Sequence, residues 1–187
     1  EDSHRAQLTR SEELLRWDNH PAGRTTEEIR RQYAHAMDRI SHPRLRGFVE
    51  FQMDLRTVFA ALRLRSAGIP LGEGEPWGVG RWVRRIQNDW DAPDFGLSAV
   101  FPWIDEARLL VERQDGLELE RFSMNLVWHH LERISDSRPF GFEQVFAYFF
   151  RWDILSRWLN HDADAATRRF QDLLEEVTRD HQQLFHG

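Results

Sequence analysis

Lysine is missing from this sequence: all 25 basic residues are arginine. Genome base composition is the plainest source, but the chemical consequence holds whatever the cause. Without lysine there can be no Schiff base, no phosphate-loop lysine and no lysine to grip the phosphates of ATP. Cysteine is missing too, which excludes disulfides, thiolate nucleophiles and cysteine-based zinc sites and leaves the redox compartment open. No apolar run reaches the roughly 18 residues that a bilayer-spanning helix needs. The chain opens at Glu1 with neither an initiator Met nor a signal-peptide pattern, so a fragment of a longer protein is expected.

What is present bounds the class. With 187 residues, 41% hydrophobic and 30% charged, the composition is that of a soluble folded domain and not of a disordered chain. The 8 Trp and 13 Phe can fill a large core. A formal charge of −6 argues against a general nucleic-acid binder, because neutralising phosphates takes clustered basic charge.

Helical periodicity dominates. Thr25-Thr26-Glu27-Glu28 reads as a capping box opening a helix to about Ile40. Pro43 starts a longer helix to about Ala67, with Leu45, Phe48, Leu55, Phe59 and Leu62 on one face and Glu50, Asp54, Thr57 and Arg65 roughly opposite. The turn-rich stretch GIPLGEGEPWGVG (68–80) follows, then a short helix near Trp82–Gln87 and an irregular NDWDAPDFGL segment. Pro102 suits the first turn of a helix to about Arg113, and another helix is expected from about Leu117 to Ile134. The segment Phe140–Asn160 is apolar almost all round, which places it at the centre of a bundle. Asp162 or Asp164 caps a last helix whose stripe is Phe170, Leu173, Leu174, Val177 and Leu184; it can dock on the chain's own core or on a partner helix. No run alternates as a strand does. The expectation is one all-α domain over 1–187, a helical bundle, with a possible sub-boundary in the 68–80 loop. Phe51, Asp54, Leu55 and Phe59 align with Phe150, Asp153, Ile154 and Trp158, a hint of a degenerate internal repeat.

Three constellations invite chemistry. Asp94-Phe95-Gly96 matches the magnesium-binding tripeptide of protein kinases, but a kinase also needs a phosphate-gripping lysine, an HRD loop and a β-rich lobe. None of these is readable, so Asp94 is expected to organise a turn, Phe95 to anchor the loop and Gly96 to relieve the backbone. In the glycine-rich loop, Glu73 and Glu75 repel phosphate and Pro76 removes a donor, which makes it a connection and not a nucleotide cradle. His129 and His130 are adjacent on a helix and point about 100° apart, which is no metal-ligand spacing. The stripe Glu118, Arg121, Asn125, His129 and Glu132 reads as a solvated or partner-facing surface. Asp153 shares a face with Phe142, Phe146 and Phe149, and a buried ion pair with an arginine is expected. No metal or cofactor is expected.

Taken in order, FVEFQMDLRTVFAALRLRSAG (48–68), PDFGL (93–97), LELERFSMNLVWHHLER (117–133) and FGFEQVFAYFFRWDILSRWL (140–159) resemble a bacterial family encoded among the components of V-type ATPases. That family is itself similar to the C-type component of the A/V-type ATPases, known as the d-type component in eukaryotes. The likeness covers roughly residues 45 to 175. It implies a helical, non-enzymatic part, cytoplasmic and peripheral to the membrane. Its partners would be the central-stalk subunits and the membrane rotor ring. Matching positions suggest partner-binding roles for Asp54, Arg56, Arg63, Arg65, Glu132, Arg157 and Trp158, with Trp128 beside Glu132. Thr57 departs from the pattern, where an Asn is expected. A stand-alone helical interaction module and a bundle enzyme using Asp153 with His129 and His130 are the other readings.

Overall fold

The computed structural model of the chain describes residues 2–15, 25–71, 77–136 and 141–159. These residues are all-α, without a strand among them. The helices are α1 (Asp2–Leu15), α2 (Thr26–Arg39), α3 (Pro43–Ser66), α4 (Val83–Asn88), α5 (Ile104–Glu112), α6 (Gly116–Asp136) and α7 (142–159). The expected last helix lies outside the described residues. Two compact units divide the chain, Glu1–Ala147 and Tyr148–Gly187. The division falls inside α7, and the 68–80 loop lies within the first unit.

Local chemistry sets the helix ends. The Thr25 side chain accepts from the Glu28 N–H while the Glu28 carboxylate accepts from the Thr25 N–H, a reciprocal capping box. At α3, Pro43 occupies the first turn, where its missing N–H costs nothing, and the His42 imidazole accepts from the Leu45 N–H.

The first unit is organised around α3, which packs against α1, α4, α5 and α6. Its apolar face is buried as expected, with Leu45, Phe48, Val58 and Ala61 fully covered. Asp54 and Thr57, on the side expected to be polar, are buried as well. α3 is therefore the enclosed helix of this unit, and its polar side is covered by the chain that follows it.

The expectation for α7 needs correction. Phe146, Ala147, Phe150 and Ile154 are buried, but Val145, Tyr148, Trp152, Leu155 and Leu159 are exposed, Tyr148 by 71% and Trp152 by 62%. An apolar circumference is thus no proof of a central helix, because this one buries a single side among the described residues.

α1 had no sequence signal, and its buried side explains why: it consists of Gln7 and Ser11 followed by Leu14 and Leu15. Gln7 Oε1 accepts from the N–H groups of Ser41 and His42 at 3.0 and 2.9 Å, and Gln7 Nε2 donates to Ser41 Oγ. A buried glutamine thus satisfies the backbone of the α2–α3 connection, which would otherwise lose water without replacement.

Candidate functional site

Four of the polar groups singled out in the sequence, Asp54, Arg56, Thr57 and Arg65, act as braces between segments. Asp54, 2% exposed, accepts from Arg81 Nε and Nη2 at 3.1 Å and from Trp82 Nε1 at 3.0 Å. Burial pushes its carboxyl above the usual range, and the Arg81 charge and the Trp82 bond pull it back. One turn later the Thr57 hydroxyl donates to the Val79 carbonyl at 2.6 Å and accepts from the Val79 N–H at 3.0 Å. The loop can lie this close because Gly80 has φ +100° and a Cβ there would stand 3.0 Å from Asp54 Oδ1. A Cβ on Gly78 would meet the Thr57 methyl at 2.8 Å. Residues 77–82 are thereby bolted along α3. Thr57 thus supplies one donor and one acceptor to a single backbone unit.

Arg65 grips the next segment. Its guanidinium donates to the carbonyls of Ala92 and Pro93 and lies 4.2 Å from the Phe95 ring centroid. Asp94 Oδ1 accepts from Gly96 N at 3.0 Å and Oδ2 from Ser98 N at 3.2 Å, an Asx-type turn. Hydrogen bonds from Ser98, then Gly96, hold the Asp94 carboxyl below the usual range. Phe95 is fully buried with φ 52°, and Gly96 follows at φ 63°. All three local roles expected for the tripeptide are present: Asp94 ties a turn, Phe95 anchors it and Gly96 takes a left-handed conformation.

Arg56 donates to the carbonyls of Leu14 and Leu15, placing positive charge at the C-terminal end of α1 where the helix dipole favours it. Arg63 is exposed. On α6, Glu132 accepts from Trp128 Nε1 at 3.0 Å and lies 2.9 Å from His129 Nδ1. His130 is stacked flat on Phe51 at 4.0 Å, and burial, reinforced by Arg133, lowers its pKa to about 4. His130 is therefore neutral at neutral pH. In the second unit Arg157 pairs with Asp153 at 2.7 Å within α7, and both side chains are about one-third exposed, 33% and 38%. The pair expected for Asp153 is present, but at the surface. Trp158 is half-buried on the same helix.

A further polar cluster carried no sequence signal. His42 Nε2 lies 3.7 Å from Glu143 Oε1, with Glu143 only 6% exposed, and His4 stacks on Phe142 at 4.4 Å beside them. These residues are far apart in sequence, and only the packing of α1, α3 and the start of α7 unites them.

Comparison with known proteins assigns the family. A family profile described as protein of unknown function (DUF2764) matches residues 18–181, nearly the whole chain. The chain belongs to this family. No curated protein and no solved structure matches it. For this DUF2764 chain the geometry therefore carries the functional argument. Among its described residues no group of three His, Asp or Glu side chains could hold a metal ion, and no helix is long and apolar enough to cross a membrane.

Proposed function

We propose that this chain is a non-catalytic coupling protein, similar to the C-type component of the A/V-type ATPases, that links the central stalk of such a rotary ATPase to its membrane rotor ring. The observation that carries the reading is the use made of the motif residues. Asp54, Arg56 and Arg65 each tie α3 to a segment at least 27 residues away in sequence. A part that passes torque between two partners must resist bending, and long-range polar bolts on a central helix supply that resistance. The order of the four motifs supports the same assignment. In this reading the contact surface includes exposed Arg63 and the α6 stripe of Glu118, Arg121, Asn125, His129 and Glu132. Arg157 and Trp158 add an arginine–aromatic pair of the kind that anchors interfaces. Association places the chain at the cytoplasmic face without inserting it in the bilayer.

The test is binding of the full-length protein to purified central-stalk subunits at physiological salt. Saturable binding that weakens on Arg63→Ala and Arg121→Ala supports the proposal. No binding to stalk or ring overturns it, and stable binding to an unrelated helical protein instead moves the chain to the stand-alone interaction class.

A further inference from the structure

α1 and α2 line an open cavity of about 530 Å³, within the size range of small-molecule sites. On α2, His35, Ala36 and Arg39 lie three, four and seven positions after Gln32 and so share one helical face. Glu13 and Leu14 stand in the same way three and four positions after Arg10 on α1. Leu14 and Ala36, 5% and 7% exposed, form an apolar floor. Arg10 is half-buried above it, and Glu13, His35 and Arg39 reach water. Both walls are fixed from behind. Gln7 ties α1 to the N–H groups of Ser41 and His42, and Arg56 holds the Leu14 and Leu15 carbonyls. Arg46 donates to the Met37 carbonyl of α2 at 2.6 Å. The cavity is thus preformed and does not need a ligand to assemble it.

The charged groups around this floor have no partner within the described residues. Arg30 and Glu27 of α2 pair at a three-residue spacing. Arg10 and Glu13 stand at the same spacing on α1, yet their side chains make no ion pair or hydrogen bond there, and neither does Arg39. We propose that the cavity binds a small organic carboxylate, its charged end held by Arg10 and Arg39 and its apolar body laid on Leu14 and Ala36. Charge selects the ligand. Two arginines against Glu13, with His35 neutral, leave one net positive charge, which a single carboxylate balances and a dianion exceeds. A planar guanidinium also matches the two oxygens of a carboxylate. Glu13 repels a second negative charge and so discriminates against dianions. The assignment does not rest on the coupling role proposed above.

Hexanoate is the probe, with 1-hexanol and hexyl phosphate as comparisons. In proton–nitrogen correlation spectra of the full chain, hexanoate should shift the amides of Leu14 and Ala36 saturably, with a Kd in the millimolar range. Arg10→Ala and Arg39→Ala should each weaken binding about tenfold, the loss of one charge-assisted contact. Where either variant fails to fold, Arg39→Gln reads the same contact. 1-Hexanol keeps the apolar body without the charge and should bind about tenfold more weakly. Glu13→Gln should tighten hexanoate about threefold by removing a repelling charge. No saturable shift at Leu14 and Ala36, or equal binding of hexanoate and 1-hexanol, overturns the site. An unchanged Kd in the arginine variants overturns it as well. Tighter binding of hexyl phosphate, close to a dianion at neutral pH, overturns the carboxylate assignment.

Discussion

α3 and α7 carry the same sequence pattern and have opposite fates. Each contains Phe-x-x-Asp followed by an aliphatic residue and, four positions later, an aromatic one: Phe51, Asp54, Leu55 and Phe59 in α3; Phe150, Asp153, Ile154 and Trp158 in α7. The aliphatic residue is buried in both, Leu55 to 2% and Ile154 to 1% exposed. The carboxylates differ. Asp54 reaches across the chain to Arg81 and Trp82 and is buried by them, while Asp153 turns to Arg157 on its own helix and stays in contact with solvent. A carboxylate that recruits a distant segment consolidates tertiary structure. One satisfied by its own helix decorates a surface.

The sharpest way to break this comparison is to remove both carboxylates. Asp54→Ala leaves the part-buried Trp82 N–H unpaired and Arg81 without its partner, so urea unfolding should show a loss of about 2 kcal/mol. Asp153→Ala removes a solvent-screened pair, and its loss should stay below about 0.5 kcal/mol. Equal costs would dissolve the distinction. The next test lies one turn on. Thr57→Val keeps the shape but strips both bonds from Val79, an expected loss of about 2 kcal/mol, whereas Ser156→Ala at the corresponding place in α7 should change little.

Smaller effects probe the supports around α3. Arg65→Lys keeps the charge but loses the planar fork that spans Ala92 and Pro93. It should cost about 1 kcal/mol, with hydrogen exchange accelerated at residues 92–98 and unchanged in α6. His130 gives a pH test. Its imidazole titrates near 6.5 when unfolded and at about 4 in the fold. Between those values the unfolded chain binds the extra proton, so this contribution is complete above pH 6.5 and is lost as pH falls towards 4. Allowing for screening at a part-exposed ring, the wild type should lose on the order of 1 kcal/mol more than His130→Phe between pH 7 and pH 5. Asp54 contributes with the opposite sign, its raised carboxyl favouring the fold as pH falls. Because both proteins contain Asp54, that term cancels in the difference. An identical pH response in the two proteins would remove His130 from the account.

Several elements were legible because their signals are local. The capping box at Thr25, Pro43 at the first turn of α3 and the turn chemistry of Asp94-Phe95-Gly96 each act within a few residues, and the chain forms them where the letters stand. α1 was not legible, since Gln7 and Ser11 on its buried side look like surface residues until the backbone of Ser41 and His42 comes to meet them. The His42–Glu143 contact was hidden for the same reason, its members lying at the start of α3 and on α7.

The sequence by itself determined an all-helical chain without lysine or thiol chemistry; Asp54, Arg56 and Arg65, offered by resemblance as partner-binding residues, are found bonded to the chain's own segments. Tertiary structure alone decided that α3 is the enclosed helix and that α7 keeps an apolar side exposed among the described residues. Periodicity reports how a helix partitions its own surface. Whether a given side meets water depends on which distant groups arrive to satisfy it, as Val79, Arg81 and Trp82 do for α3.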